Sequence, residues 1–311
     1  MSNVSDRATG EGAARDMAPG VRTGFPPQAF LIGAQKAGTT SLAYLLDRHP
    51  AIAVSDPKET YFFTQHWKRG LDWYRRQFPE NDDVVFLDAT PGYSMAPPEG
   101  FTGDPTLPTN IFRTDVPKRI HSVSPDARFI YLLRNPVGRT YSAYWHQVRA
   151  GVEKRPFREA IAVNPYYLSA SDYEWQIRKY LEYFPIDRFL FLLFEDFVRD
   201  PEAASRRCCD FLGLPEAALD AGDGVQRNVT YTYSGVGKLV TTLVPHQGLL
   251  EGLTRAVRTL LPESCQDLIR RVMTRKVPKI SDEDRAFLAA HFEDSMDRLE
   301  RLTGLSVVAW R

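Results

Sequence analysis

Cysteine is scarce in this chain: three among 311 residues, Cys208 and Cys209 side by side and Cys265 far from them. An odd number without metal-ligand spacing fits neither a disulfide framework nor a cysteine-rich metal centre. A reducing cytoplasm is the location this implies. Net charge is missing too. Thirty-nine basic side chains balance 39 acidic ones, so the chain as a whole offers no field for nucleic acid or for an acidic membrane surface. Any attraction for anions must be local. No stretch holds the roughly 18 consecutive apolar residues needed to span a bilayer, and no internal repeat is found, so a soluble protein is expected. Residues 1–26 lack the apolar segment of a signal peptide, are rich in small and polar residues, and run into Pro26-Pro27. They read as a disordered leader. Residues 27–311 are enough for a large core and read as a single domain.

What is present begins with Phe30-Leu31-Ile32-Gly33-Ala34-Gln35-Lys36-Ala37-Gly38-Thr39-Thr40-Ser41-Leu42. An apolar run ends in glycine, a short loop carries one lysine, and hydroxyl residues open a helical pattern at Leu42, Leu45 and Leu46. Strand, anion-binding loop and helix are predicted, because glycines admit an anion to the backbone and the first N–H groups of a helix lack partners. The nucleoside triphosphate loop, G-x-x-x-x-G-K-[ST], has its lysine directly after the second glycine. Here Gly33 and Gly38 keep the spacing, but Thr39 takes that place and Lys36 lies inside the loop. The stretch resembles the 5′-phosphosulfate loop, usually G-x-x-K-x-G-T-[ST], of sulfotransferases that use 3′-phosphoadenosine 5′-phosphosulfate (PAPS). The resemblance implies that Lys36, Ala37, Gly38, Thr39, Thr40 and Ser41 hold the donor.

A second element is Arg128 to Tyr144. An apolar run ends in Arg134, Pro136 stops the strand, and an aromatic-rich helix follows with Ser142 about two turns in. It is similar to the sulfotransferase 3′-phosphate motif, R-[DN]-P-x-x-R-x-x-S-x-Y. That similarity gives Arg134 and Ser142 the 3′-phosphate, puts Asn135 in place of the commoner Asp, and leaves Arg139 as a structural ion-pair partner. The planar guanidinium suits phosphate because it makes paired charge-assisted bonds.

Between the two lies Lys58-Glu59-Thr60-Tyr61-Phe62-Phe63, read as an aromatic pocket wall from which a carboxylate projects, followed by Gly70-Leu71-Asp72-Trp73-Tyr74. This looks like the catalytic-glutamate segment of heparan sulfate sulfotransferases and their bacterial relatives. By that likeness Glu59 is the general base, and Tyr61 stands where several relatives carry histidine. A histidine base, His66 or His146, is the rival. Val84 to Asp88 is a buried strand whose Asp88 would suit a Walker-type magnesium ligand. The next residue, Ala89, takes the place of a lysine that assists catalysis in the 3-O enzymes.

The later chain resembles the sulfotransferase core as well: a helix through Tyr173, Gln176 and Ile177 to Pro185, then a strand from Arg188 to Glu195. Glu195 and Asp196 read as structural, and Tyr173 borders the acceptor or packs. Asn228 to Lys238 is predicted to be a loop, with Tyr231, Tyr233 or Lys238 available to close over the nucleotide. The tail from Leu239 is predicted to be mostly helical, with Ser281 as an N-cap. Alternating strands and helices predict an α/β fold, and the resemblance makes it a P-loop-like, three-layer fold around a mainly parallel sheet. The expected activity is in-line transfer of a sulfuryl group from PAPS to a hydroxyl or amine of an unidentified metabolite, lipid or glycan, with Lys36 stabilising the leaving group. No metal is expected. A nucleotide-dependent small-molecule kinase and a catalytically silent nucleotide-binding protein remain the alternatives.

Overall fold

The computed structural model describes residues 20–98, 100–101, 115–215, 231–233 and 274–311. Its centre is a five-stranded, wholly parallel sheet in the order β2-β3-β1-β4-β5. The strands are β1 (Ala29–Gly33), β2 (Ile52–Val54), β3 (Val85–Asp88), β4 (Arg128–Leu133) and β5 (Phe189–Leu193). Every residue of β1, β3 and β4 is buried. That is why these runs are apolar except for Asp88 at the end of β3 and Arg128 at the start of β4: a parallel sheet is covered on both faces. Phe30 on β1 stacks on Phe129 of β4 at 5.8 Å, and Phe129 stacks on Phe189 of β5 at 4.8 Å, so one aromatic row crosses the sheet.

Helices cover the sheet. They include α1 (Thr39–Leu46), α2 (Leu71–Arg75), α3 (Val116–Val123), α4 (Pro136–Arg149), α5 (Phe157–Val163), α6 (Tyr166–Ser169), α7 (Tyr173–Leu181), α8 (Phe194–Arg199), α9 (Pro201–Leu212) and, near the end, α10 (Asp282–Thr303). The last begins where predicted: the Ser281 hydroxyl accepts the N–H of Asp284 at 3.1 Å. The strand expected to run to Glu195 stops at Leu193, because Glu195 already lies in α8.

Strand order turns back beside β1. The chain leaves β1 for the β2 edge, returns through β3, and crosses to β4 on the other side of β1. Loops after β1 and β4 therefore open at the same carboxyl end, the place where open parallel sheets bind ligands.

Two expectations need revision. Within the predicted leader, residues 20–26 are tied down: Val21 N–H bonds to Leu212 O and Gly24 N–H to Val84 O, both at 2.9 Å, and Phe25 packs edge-on to Tyr74 at 5.7 Å. Residues 1–19 lie outside the described residues. Within the predicted loop from Asn228 to Lys238, Tyr231–Tyr233 form a strand, β6, paired antiparallel with β7 (Thr274–Lys276), which also interrupts the mostly helical tail. Lys238, the rest of that loop and residues 239–273 lie outside the described residues.

Candidate functional site

The loop after β1 is shaped by close approach. A side chain at Gly33 would run into Ser94 Oγ, and Gly38 takes φ +89°, a left-handed conformation natural only to glycine. Lys36 also sits at positive φ, +74°, a strained position for a side-chain-bearing residue and one that clusters at binding sites. Ser41 N–H and Leu42 N–H turn back onto Gly38 O at 3.0 and 3.1 Å. The N–H groups ahead of them have no partner inside the helix. Ala37, Thr39 and Ser41 are buried while Thr40 is exposed, so the helix start is half sunk in the core and half open.

The second motif grips the first. Arg134 Nη1 donates to Lys36 O at 2.9 Å, and Arg139 Nε donates to Gln35 O at 3.1 Å. Fixing the Gln35 carbonyl turns the Lys36 N–H the opposite way, because the peptide unit is planar. Arg139 is fully buried. Its other partners are Tyr167 O at 3.1 Å, Ser171 Oγ at 3.2 Å and the Tyr166 hydroxyl at 3.5 Å. The ion pair expected for Arg139 is thus replaced by carbonyls and hydroxyls. Tyr166 in turn donates its hydroxyl to the Gln35 side chain.

Arg134 lies 4.8 Å over the ring of Phe194. Tyr173 is buried and donates its hydroxyl to Arg134 O at 2.7 Å, so it positions Arg134 rather than bordering an acceptor. Asn135 does what the commoner Asp would do, accepting Val137 N–H at 3.0 Å and Gly138 N–H at 3.3 Å to cap α4. Ser142 is buried on the second turn of that helix. Glu195 is structural: it accepts Asn135 N–H at 3.1 Å and Trp310 Nε1–H at 3.0 Å, while Trp310 O accepts from Asn135 Nδ2 at 3.0 Å. The ribbon strand β6 lies alongside α4.

Lys36 faces this cluster with little to neutralise it. Burial, then the guanidinium groups of Arg149, Arg134 and Arg139, push its ammonium down to about 8, against the pull of Glu59. A desolvated lysine among three arginines and one carboxylate is matched to a multiply charged anion. Glu59 enters from the segment after β2. Lys58 Nζ donates to Glu59 Oε1 at 3.2 Å and to Ala89 O at 2.7 Å, and the Tyr61 hydroxyl donates to Glu59 Oε2. Ala89, which the resemblance put in the place of a lysine, therefore still has an ammonium on its carbonyl. Sequence reasoning missed this because Lys58 reads as a solvated neighbour of Glu59.

The aromatic wall is corrected. Phe62 and Phe63 are wholly buried and stack with Tyr74 and Trp67 in the core; Tyr61 alone of the three aromatics meets the carboxylate. His146 faces Lys36 and Glu59, and its ring falls to about 4, first through burial and then through Lys36 and Arg149. Arg149 Nη2 lies 3.1 Å from His146 Nδ1. A guanidinium can only donate, so Nδ1 accepts and its lone pair is occupied. His66 instead packs at a tilt against Trp73, ring centroids 4.9 Å apart. Asp88, weighed as a metal ligand, is fully buried. Its carboxylate accepts the hydroxyls of Thr60 (2.8 Å), Tyr74 (2.7 Å), Thr90 (2.6 Å) and Tyr93 (2.9 Å).

Comparison with known proteins adds an independent finding. A family profile described as the sulfotransferase family matches residues 27–218. Heparan sulfate glucosamine 3-O-sulfotransferase 6 of Homo sapiens is 32% identical over 205 residues, covering 62% of this chain and 54% of that protein. Heparan sulfate glucosamine 3-O-sulfotransferase 3A1 of Mus musculus is 28% identical over 205 residues, covering 62% of this chain and 47% of that protein. The chain spans about half the length of the curated relatives it matches. Among solved structures, a sulfotransferase from Alicyclobacillus acidocaldarius superposes with a TM-score of 0.63 at 25% identity, covering 92% of this chain and 98% of that one.

Proposed function

The chain belongs to the sulfotransferase family, and on that premise we propose that it transfers a sulfuryl group from PAPS to a hydroxyl or amine of an acceptor. One observation carries the reading. Arg134 and Arg139 of the second motif hold successive carbonyls of the Lys36 loop, so the two motifs meet in one basic cluster, which supports a ligand carrying phosphates at both ends. In this reading the 5′-phosphosulfate lies against Lys36, Ala37, Gly38, Thr39, Thr40 and Ser41, and Arg134 and Ser142 take the 3′-phosphate. Glu59 stands across from Lys36 and removes the acceptor proton.

The acceptor oxygen attacks sulfur in line with the departing phosphate oxygen, by analogy with phosphoryl transfer. Lys36 and the loop N–H groups stabilise the charge that develops on that oxygen. Glu59 is favoured over a histidine base because the His146 lone pair on Nδ1 already accepts from Arg149. Relatives named for a glucosamine 3-O position make an amino-sugar hydroxyl the first acceptor to test; a metabolite or lipid remains in the screen. The enclosed Asp88 offers no metal ligand beside the loop, which weighs against the kinase alternative. Among the described residues no helix is long and apolar enough to cross a membrane, and a cytoplasmic location is proposed from the cysteine usage alone.

Calorimetric titration with 3′-phosphoadenosine 5′-phosphate, beside ATP with magnesium, tests the reading. Micromolar binding of the former without metal, weakened about 10- to 100-fold in Arg134→Ala, is the expected result, with micromolar corresponding to about 8 kcal/mol. Preference for ATP with magnesium returns the protein to the kinase class.

A further inference from the structure

Glu59 does not wait with a bare carboxylate. Oε1 is engaged by Lys58, whose ammonium is anchored a second time at Ala89 O, and Oε2 is engaged by the Tyr61 hydroxyl. An acceptor coming to Oε1 would have to share it with an ammonium held from two sides. At Oε2 the nearer polar atom is the phenolic oxygen of Tyr61. A phenol has one proton and two lone pairs. Its proton lies on Glu59, and among the described residues no side chain donates to its oxygen.

Tyr61 is held in place at a cost. Its φ is +48°, a left-handed conformation that costs an L-residue roughly 1–2 kcal/mol. The turn that follows maintains it: the N–H groups of Thr64, Gln65 and His66 all bond to Tyr61 O, at 3.2, 2.9 and 3.1 Å. The ring lies on Gly92, where an added Cβ would come within 3.0 Å of Tyr61 Cε1. Strain kept at one side chain by a converging backbone and a glycine floor marks a residue whose position matters. Burial and the neighbouring Glu59 push the phenol upward from its ordinary value, so it keeps its proton and cannot itself serve as the resting base.

We propose that the acceptor proton reaches Glu59 through the Tyr61 hydroxyl, making Tyr61 a catalytic residue. The inference rests on the transferase reading above. The acceptor hydroxyl donates to Tyr61 Oη. As its oxygen bonds to sulfur, its proton passes to Oη and the phenolic proton passes to Glu59 Oε2. The bond from sulfur to the bridging phosphate oxygen breaks, and its electron pair leaves with 3′-phosphoadenosine 5′-phosphate. Tyr61 is neutral before and after; Glu59 ends protonated and later returns the proton to water. Lys58 holds the other carboxylate oxygen and so fixes which lone pair receives it.

The test compares wild type, Tyr61→Phe and Glu59→Gln. Affinity for 3′-phosphoadenosine 5′-phosphate is measured by calorimetry, and conversion of PAPS to that product is followed with water as the acceptor, in mixtures of light and heavy water. Tyr61→Phe removes one oxygen and keeps the ring on Gly92. The expected result is a loss of about 100- to 10,000-fold in both variants, with nucleotide affinity unchanged and a bowed dependence of the wild-type rate on deuterium content, as two moving protons require. Tyr61→Phe turning over at the wild-type rate, with a linear dependence and Glu59→Gln inactive, overturns the relay and leaves Glu59 as a direct base. Glu59→Gln as fast as wild type removes base and relay together. Failure of the wild type to bind the nucleotide is a different outcome, and it overturns the transferase reading on which the relay stands.

Discussion

Arg134 Nη1 donates to the carbonyl of Lys36 at 2.9 Å, across 98 residues of sequence. One guanidinium thus both shapes the loop and, in the proposed function, meets the 3′-phosphate. Arg134→Ala should weaken binding of 3′-phosphoadenosine 5′-phosphate about 10- to 100-fold, since a hydrogen bond to a charged group contributes about 1.5–3 kcal/mol. Arg134→Lys keeps the charge but not the paired donors, and should fall between the two in a calorimetric titration.

Glu59 and Lys36 should separate binding from turnover. Glu59→Gln is expected to lower the rate about 100- to 10,000-fold while leaving nucleotide affinity nearly intact. Lys36→Ala should damage both, because in the proposed function Lys36 touches ground state and transition state alike. Parallel measurement of affinity and product release checks this; equal, small effects of both changes would contradict it.

The depressed Lys36 ammonium gives a pH dependence with a definite sign. Below about 8 the ammonium is charged in the free protein and the anion binds without proton exchange. Above that value binding must take up a proton, so affinity falls as pH rises. Calorimetry at alkaline pH in buffers of different ionisation enthalpy should show that uptake, and Lys36→Ala should abolish it. In the absence of nucleotide the same shift acts on folding in the opposite sense: the unfolded chain binds the proton more tightly, so the Lys36 contribution to stability rises with pH between about 8 and the ordinary lysine value of 10.5.

His146 sits beside Lys36 and Glu59 yet accepts from Arg149. His146→Asn should lower turnover by less than about tenfold, short of the 100-fold or more expected for loss of a general base. A pH–rate profile of the wild type should show no limb near the ordinary imidazole value, since the ring titrates at about 4.

Asp88 binds the Glu59 segment to the end of β3. Its four hydroxyl partners come from Thr60, Tyr74, Thr90 and Tyr93, and Thr90 Oγ1 also accepts Thr60 N–H at 3.0 Å. Asp88→Ala leaves those buried hydroxyls without their acceptor at about 1–3 kcal/mol each. A stability loss of about 3 kcal/mol or more in urea unfolding is expected, larger than for an exposed carboxylate such as Asp187.

Both strand-loop-helix motifs were legible because each is local: glycines, a lysine and a helix start within a few residues, or an arginine at the end of an apolar run. The core strands were legible from their apolar runs, while their parallel arrangement was expected from the resemblance and is what the structure has. What could not be read were contacts made across the chain. The partners of Arg139 are carbonyls of Gln35 and Tyr167, and a carbonyl carries no residue signature. The ammonium on Ala89 comes from Lys58, 31 positions earlier. Phe62 and Phe63 were misplaced because aromatic residues beside a polar pair look alike whether they line a pocket or fill a core. Tyr231–Tyr233 were misread because a strand of three residues is defined by its partner at Thr274–Lys276 rather than by its own pattern.

The contact of Trp310 with Glu195 and Asn135 places the penultimate residue of the sequence one shell behind Arg134. Loss of Trp310 would remove the indole that steadies Glu195 and the carbonyl that orients Asn135, loosening the start of α4 and with it the arginine. A bulky label placed beside Trp310 would press on the same joint. Donor affinity therefore becomes a sensitive gauge of whether Trp310 is seated.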